Sequence, residues 1–259
     1  MSWSASEMMT VAAARALADD DVCFVGIGLP SAACNLARLT HAPRITLVYE
    51  SGTLATKPTV LPLSIGDGEL CETALTTVSV PEMFQYWLQG GRITVGFLGG
   101  AQVDRYGNLN STVIGPYGAP KVRLPGSGGA TEIATACRRT FIVMRHSPRA
   151  FVAEVDFLTS LGHGRTGRER RAMGIQTEGP VLLVSDLCTM RPHPETREFE
   201  VTSLHPGTTR EQVVAQTGWP VQFAAVVEET PAPTATELET LRDLNARTAA
   251  AHGQASAAE

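Results

Sequence analysis

The order of apolar and polar positions along the first 50 residues predicts a helix, a strand, a second helix and a second strand. The capping-box pattern Ser4-Ala5-Ser6-Glu7, followed by helix-favouring residues, marks the start of the first helix. The apolar runs 22–25 and 44–50 are typical of buried strands, and the helical run 31–39 separates them. Two strands joined by a helix within about 30 residues predict a parallel βαβ unit with a right-handed crossover.

The alternation of strand and helix patterns continues through the rest of the chain. Apolar spacing predicts further helices over 81–89 and 130–137 and buried strands over 92–98, 141–144 and 181–187, and turn residues predict hairpins around 104–108 and across 188–204. Two more capping boxes begin at Thr209 and Thr234. This alternation predicts an α/β fold with an open, mainly parallel sheet and flanking helices. The sequence has no internal repeat or long linker. We expect a single domain over residues 1–259, with a disordered tail from about residue 249.

Composition narrows the class of protein. The chain has 259 residues, 43% of them hydrophobic, which is ample for a sizeable core, and its formal net charge of −5 carries no nucleic-acid or membrane signature. No apolar run approaches the roughly 18 residues of a membrane span. Five widely spaced cysteines without a CxxC pair favour reduced thiols, and the six histidines show no metal pattern. We therefore expect a cytoplasmic protein without a zinc site.

Glu50 is the most informative residue, because it ends an apolar strand and is followed at once by Ser51-Gly52. In open α/β sheets, ligands bind at the C-terminal edge of the strands. A charge at a buried strand tip is costly unless it is paired or used. Position alone leaves two interpretations open: a reactive carboxylate, or a glutamate that caps a helix or forms an ion pair.

Two glycine-rich segments could bind an anion. Gly26-Ile27-Gly28 lies between a strand and a helix, but Ser31 stands where a dinucleotide fingerprint has its third glycine, so a simple turn is the favoured interpretation of this segment alone. The segment Gly126-Ser127-Gly128-Gly129-Ala130 at a helix entrance is a stronger signal for backbone donors.

Side chains near the second segment suggest further ligand contacts. Lys121 and Arg123, just upstream of it, could recognise a phosphate or carboxylate, or form a solvated edge. His163, in a glycine-flanked loop, could reach a ligand, although such a histidine is usually just exposed.

Taken together and in this order, these segments resemble the beta subunits of family I coenzyme A (CoA) transferases, particularly the glutaconate and 3-oxoadipate branch. Ser51 stands where other branches have asparagine, as in the glutaconate branch. Further likeness to the 3-oxoadipate enzymes lies in residues 7–15, 61–69 and 202–207. The matching pieces are Gly26-Ile27-Gly28-Leu29-Pro30, Tyr49-Glu50-Ser51-Gly52, Gly99-Gly100-Ala101-Gln102-Val103-Asp104, Gly107-Asn108 and Gly126 to Ala130.

The resemblance implies a fold of the NagB/RpiA-like CoA-transferase type, and it implies that Glu50 is the nucleophile. We expect backbone amides of Gly128 and Gly129 to form an oxyanion hole, and Gly126, Gly28, Lys121 and Arg123 to contribute to CoA binding. A CoA thioester is then a substrate, with no permanently bound cofactor or metal.

The resemblance also implies a partner, a separate alpha subunit, in an αβ or α₂β₂ hetero-oligomer. The expected reaction is transfer of CoA from succinyl-CoA to 3-oxoadipate in aromatic-compound degradation. Glutaconate-type transfer, an acyl-CoA hydrolase or decarboxylase on the same fold, and a non-catalytic subunit are the alternatives.

Overall fold

A computed structural model of the chain describes residues 2–253. Its helices are α1 (Ala5–Arg15), α2 (Leu29–Leu39), α3 (Gly68–Glu72), α4 (Val80–Glu82), which continues into the π-helical segment Met83–Leu88, α5 (Ala130–Ala136), α6 (Glu169–Ala172), α7 (Arg210–Gln216) and α8 (Ala235–Ala251). Its strands are β1 (Val22–Val25), β2 (Thr46–Tyr49), β3 (Thr53–Leu54), β4 (Thr76–Thr77), β5 (Val95–Leu98), β6 (Gln102–Val103), β7 (Leu109–Asn110), β8 (Val113–Ile114), β9 (Val122–Arg123), β10 (Arg139–Val143), β11 (Gly179–Val184), β12 (Cys188–Pro192), β13 (Phe199–Leu204) and β14 (Gln222–Glu229).

The chain forms two compact units. The first contains the residues up to Thr94 together with those from Pro233 onward, and the second contains Val95–Ala232. The prediction of a single domain stays a prediction.

In the first unit, β1 and β2 are parallel and are joined by α2, which confirms the predicted βαβ unit. Strands β3 and β4 add antiparallel pairs beside β2. Helices α1, α2 and α8 pack against one another, and α2 also contacts β1. The core includes the fully buried Leu36, Leu47 and Tyr49.

In the second unit, β5, β10 and β11 are parallel, and α5 packs against all three strands. Strands β12 and β13 extend this arrangement as the predicted antiparallel hairpin, and β14 pairs in parallel with β13. Two small hairpins, β6–β7 and β8–β9, follow β5 in the chain. The parallel pairs with their flanking helices confirm the predicted α/β fold with a mainly parallel sheet.

The predicted boundaries differ from the observed ones at a few places. Helix α2 begins two residues early, at Leu29, because Pro30 fits the first turn of a helix. The aromatic stretch Met83–Leu88 is a π-helix, which apolar spacing cannot distinguish from an α-helix. Helix α8 includes residues 249–251 of the predicted disordered tail, while residues 254–259 lie outside the described residues.

The five cysteines are free thiols; Cys71 is exposed and the other four are buried. Cys23 in β1 and Cys137 at the C-cap of α5 are among the buried ones and pack as small hydrophobic residues. Within residues 2–253, no helix is both long and apolar enough to cross a membrane.

Candidate active site

Glu50 lies at the C-terminal edge of the parallel pair β1–β2. The register pairs Val25 with Tyr49, so Gly26 and Glu50 leave the two strands side by side. Glu50 is half-buried and sits in a turn that is closed by the Gly52 amide, which donates to the Tyr49 carbonyl oxygen at 2.9 Å. The predicted position at the strand tip is confirmed.

Tyr49 anchors the residue that precedes Glu50. Its side chain is fully buried, and its hydroxyl lies 2.8 Å from the Ser31 hydroxyl on α2. Burial raises the pKa of Tyr49 far above its ordinary value, so the phenol stays neutral. The Asn35 amide donates to the Ser31 carbonyl oxygen at 2.9 Å and ties the same helical turn together. The contact between the Tyr49 and Ser31 hydroxyls fixes the end of β2 against α2 and thereby limits the movement of Glu50.

Gly52 lets the turn after Glu50 pack directly against another backbone segment. Its φ of +105° lies in a region that favours glycine, and a Cβ at this position would lie only 2.0 Å from the Val78 carbonyl oxygen. The Val78 amide also donates to the Gly52 carbonyl oxygen at 2.9 Å. The glycine in the Glu50-Ser51-Gly52 sequence is therefore required by a tertiary contact as well as by the turn.

The residue between Glu50 and Gly52 carries an unsatisfied polar group. The Ser51 hydroxyl is buried and has no hydrogen-bond partner among residues 2–253. Buried polar groups in native proteins are nearly always paired, so an unpaired one next to the Glu50 carboxylate is available for a ligand or a water molecule. The family resemblance pointed to Ser51, but only the structure shows its unused hydroxyl.

Gly28 lies two residues after Gly26, near the same C-terminal edge of the β1–β2 pair as Glu50. It is the N-cap of α2 with φ +80°, and no side chain of residues 2–253 caps this helix end. The first amides of a helix lack intrahelical partners and favour negative charge. Gly28 also lines a cavity of about 220 Å³ together with Glu7, Thr10 and Leu61. Its predicted contribution to CoA binding stays a prediction.

The glycine-rich segment in the second unit offers two unused backbone donors. Gly126 has φ +99°, and its amide donates to the Ser111 carbonyl oxygen at 2.8 Å, so this donor is already used. Gly128 has φ +47°, and Gly129 is the N-cap of α5. Neither the Gly128 amide nor the Gly129 amide has a hydrogen-bond partner in the described part of the chain. These two amides can therefore donate to a ligand, whereas Gly126 shapes the loop.

The two predicted cations lie on the β8–β9 hairpin, which leads directly into this loop. Both Lys121 and Arg123 are exposed. The Arg123 guanidinium lies 4.7 Å from the centre of the Tyr117 ring and donates to the Tyr117 carbonyl oxygen at 3.1 Å. The Lys121 ammonium has no hydrogen bond or ion pair in the described residues. Lys121 is thus the less constrained of the two for binding an anion.

His163 is buried, so the expectation of an exposed histidine is wrong. It is only 3% exposed, and its Nε2 lies 2.9 Å from the Pro180 carbonyl oxygen. Burial lowers the pKa of His163 to about 4, so it is neutral near pH 7. The neighbouring Gly162 explains the burial, because a Cβ there would lie 2.4 Å from the Tyr106 carbonyl oxygen. Glycine lets this loop pack against the backbone, where the sequence suggested a solvent-exposed turn.

Comparison with known proteins identifies the family. A family model described as Coenzyme A transferase matches residues 6–216. The chain belongs to the coenzyme A transferase family. It is 62% identical over 252 residues to a subunit of the 3-oxoadipate CoA-transferase of Pseudomonas knackmussii, covering 97% of each chain. It is 35% identical over 241 residues to a subunit of the glutaconate CoA-transferase of Acidaminococcus fermentans, covering 90% of this chain and 89% of that protein.

Solved structures agree with this assignment. The crystal structure of glutaconate CoA-transferase from Acidaminococcus fermentans matches with a TM-score of 0.87 and 31% identity, covering 93% of this chain and 94% of that chain. The structure of the decarboxylase AibA/AibB matches with a TM-score of 0.81 and 25% identity, covering 94% and 95%. The resemblance to the beta subunits of family I CoA-transferases, and the fold it implied, are therefore confirmed.

Proposed function

We propose that this chain is the catalytic beta subunit of an enzyme that transfers CoA from succinyl-CoA to 3-oxoadipate in the beta-ketoadipate pathway of aromatic-compound catabolism. The position of Glu50 at the strand tip is the structural observation that supports this most. The 62% identity to one chain of a 3-oxoadipate CoA-transferase supports the choice of acceptor. Five free thiols agree with a cytoplasmic location.

The first half of the proposed reaction uses the Glu50 carboxylate as a nucleophile, which needs no general base because carboxylates are ionised near neutral pH. An oxygen of Glu50 attacks the succinyl thioester carbonyl, the carbon–sulfur bond breaks, and CoA leaves as a thiolate. The resulting mixed anhydride is attacked by this thiolate at the Glu50 carbonyl carbon. Succinate leaves, and Glu50 carries a glutamyl-CoA thioester.

The second half repeats these steps in reverse. A carboxylate oxygen of 3-oxoadipate attacks the glutamyl-CoA carbonyl, CoA leaves as a thiolate, and a second anhydride forms. The thiolate then attacks the 3-oxoadipyl carbonyl and regenerates the Glu50 carboxylate. One thioester replaces another of similar energy, so the enzyme has to lower the barrier and not supply a driving force.

Backbone amides and positioning are the proposed sources of catalysis. The unused amides of Gly128 and Gly129 are the proposed donors to the oxyanion, and one such donor is worth about 2.7–4 kcal/mol. Holding both reactants in place can contribute roughly 7–11 kcal/mol. Lys121, with Arg123 beside it on the hairpin, is the proposed partner of the CoA phosphates, and Gly28 and Gly126 shape the binding loops.

The relatives are named as subunits, and this supports a separate alpha subunit as the partner. We propose an αβ or α₂β₂ hetero-oligomer in which the acceptor pocket lies between the subunits. Co-expression with the alpha chain, followed by measurement of the mass of the purified complex, tests this assembly. Full activity of this chain alone would contradict it.

Two variants test the catalytic role, each assayed together with the alpha subunit. We expect Glu50→Ala to reduce turnover by at least about a thousandfold while the thermal unfolding midpoint stays within a few degrees, because it removes the nucleophile. Glu72→Ala, at an exposed glutamate of α3, is the matched control and keeps full activity. Normal turnover by Glu50→Ala would support a non-catalytic subunit instead.

Initial rates with different acceptors test the substrate. We expect 3-oxoadipate to give a higher kcat/KM than glutaconate, and an equal or lower value would contradict the proposed acceptor. Release of free succinate and CoA from succinyl-CoA without any acceptor dependence would indicate a hydrolase.

A further inference from the structure

A cavity of about 570 Å³ in the second unit is lined by cationic side chains that the proposed reaction does not use. Its volume is within the range of small-molecule sites, roughly 300–1,000 Å³. Glu178 is the acidic residue among those that line it, and its carboxylate lies 3.3 Å from Nε of Arg138. The lining residues are His163, Gly167, Arg170, Arg171, Ile175, Gln176, Thr177, Glu178, Val181 and Arg197.

Arg170 supplies positive charge to the cavity without being able to bind a ligand directly. It is 4% exposed, and its N–H groups donate to four backbone carbonyl oxygens and to the Thr177 hydroxyl. A guanidinium has five N–H donors, so all of them are used. None of these acceptors is a carboxylate. The charge of Arg170 therefore remains uncompensated by its hydrogen-bond partners.

Arg171 and Arg197 are the guanidinium groups that can bind a ligand. Arg171 is exposed and Arg197 is half-buried, and neither side chain has a hydrogen bond or ion pair within residues 2–253. Arg197 adopts φ +63°, which is uncommon for a residue other than glycine, asparagine or aspartate. Its amide donates to the His193 carbonyl oxygen at 2.9 Å, which holds it in this conformation. A strained backbone at a side chain that lines a cavity agrees with use of that side chain.

His163 adds a hydrogen-bond acceptor to the same cavity. Its Nε2 donates to the Pro180 carbonyl oxygen, which fixes the tautomer and leaves Nδ1 as an acceptor. Among residues 2–253 the His163 ring makes its hydrogen bond through Nε2, so Nδ1 has no partner, although the side chain is almost completely buried. A ligand in this cavity can therefore donate a hydroxyl hydrogen to Nδ1.

The cavity lies at the end of α5 that is opposite to the glycine-rich loop. Arg170 and Thr177 donate to the carbonyl oxygens of Ala134 and Thr135 near the C-terminus of α5, whereas Gly129 caps its N-terminus. Six residues of helix between Gly129 and Thr135 correspond to about 9 Å along the axis. A phosphate group held here is thus a different group from one bound by the amides of Gly128 and Gly129.

We propose that this cavity binds a small phosphate monoester that carries hydroxyl groups, such as a sugar phosphate or a nucleotide. Arg171 and Arg197 bind the phosphate oxygens, and the planar guanidinium groups suit bidentate contacts with them. A ligand hydroxyl donates to Nδ1 of His163. Two guanidinium groups together with the uncompensated charge of Arg170 match the double negative charge of a phosphate monoester. The proposal does not depend on the proposed CoA transfer.

Calorimetric titration of this chain with ribose 5-phosphate tests this site. We expect saturable binding at one site, with inorganic phosphate binding more weakly because it lacks the sugar hydroxyls. The double variant Arg171→Gln/Arg197→Gln should weaken binding at least tenfold. The matched control Arg168→Gln, at an exposed arginine outside the cavity, should leave the affinity unchanged. Titration with AMP distinguishes a nucleotide from a simple sugar phosphate as the better ligand.

Three results would overturn the proposal: no saturable binding by the natural sequence, unchanged affinity of the double variant, or displacement of ribose 5-phosphate by an equal concentration of succinate. Thermal unfolding confirms that the variants are folded. If the double variant does not fold, Arg171→Gln alone serves as the test, because this side chain is exposed.

Discussion

Replacing Gly52 with alanine should displace the turn that carries Glu50. The new Cβ would lie 2.0 Å from the Val78 carbonyl oxygen, more than 1 Å inside a normal contact, and φ +105° is unfavourable for alanine. The carbonyl cannot retreat freely, because the Val78 amide donates to Gly52 and the adjacent Thr53 pairs with Thr77 across β3–β4.

The loss of stability in Gly52→Ala can be estimated from these contacts. Forcing alanine into a left-handed conformation costs about 1–2 kcal/mol, and the loss of the hydrogen bond from Val78 costs about 0.5–1.5 kcal/mol. Together they lower the free energy of unfolding by about 1.5–3.5 kcal/mol, or the unfolding midpoint by roughly 3–14 °C for a chain of this size. Because the proposed nucleophile Glu50 lies two residues away, kcat should also fall by about a hundredfold, as expected for a reacting group moved by about 1 Å.

Alanine variants of two other glycines separate the backbone cost of a positive φ from the cost of the close contact. Gly91 has φ +73° but no atom within 4 Å of its missing Cβ, so Gly91→Ala should show the backbone cost alone and keep full activity. Gly68 has neither constraint, and Gly68→Ala should be neutral or stabilising by up to about 1 kcal/mol. Chemical denaturation and steady-state kinetics of the three variants provide the comparison. A Gly52→Ala protein as stable and active as Gly91→Ala would refute the role of close packing.

Three further predictions concern single side chains. Ser51→Ala should leave the free energy of unfolding unchanged or raise it by up to about 1 kcal/mol, because the buried hydroxyl is unpaired. The same variant should lower kcat by about tenfold if the hydroxyl binds the reacting group. Denaturation and kinetics check both effects, and a loss of stability would contradict the unpaired state of the hydroxyl. Burial lowers the pKa of His146 to about 4, so the contribution of this residue to stability is present above about pH 6.5 and is lost as the pH falls toward 4. Between pH 6.5 and 5 the natural sequence should therefore lose about 1.5 kcal/mol that His146→Gln does not, and equal slopes in denaturation would contradict this. Lys121→Gln should raise the KM for succinyl-CoA about five- to tenfold at constant kcat. Arg191→Gln, at another exposed cationic residue, should leave this KM unchanged. An unchanged KM in Lys121→Gln would show that Lys121 does not contribute to the CoA site.

Local patterns predicted the elements of the fold well because their causes are local. The capping boxes at Ser4, Thr209 and Thr234 begin helices as expected, since each side chain bonds a backbone amide only three residues away. The strand that ends at Glu50 was predicted from its apolar run, and the general rule for strand edges then indicated where the carboxylate lies. Family resemblance added the chemistry that position alone left open.

Contacts between distant residues could not be predicted from these patterns. Gly52 meets Val78, 26 positions away, and the Tyr49 hydroxyl meets Ser31 on another element. The burial of His163 depends on the packing of Gly162 against the Tyr106 backbone, which no local pattern encodes. The apolar spacing of Met83–Leu88 fits an α-helix as well, so this pattern could not predict a π-helix.

Trapping of the glutamyl-CoA thioester tests the catalytic role of Glu50 most directly. The chain and its alpha subunit are incubated with succinyl-CoA without an acceptor, treated with borohydride, and digested for mass spectrometry. We predict reduction of the Glu50 side chain to an alcohol, which depends on succinyl-CoA and is prevented when 3-oxoadipate is added before the borohydride. An active enzyme in which Glu50 remains unmodified, or in which another residue carries the label, would contradict it.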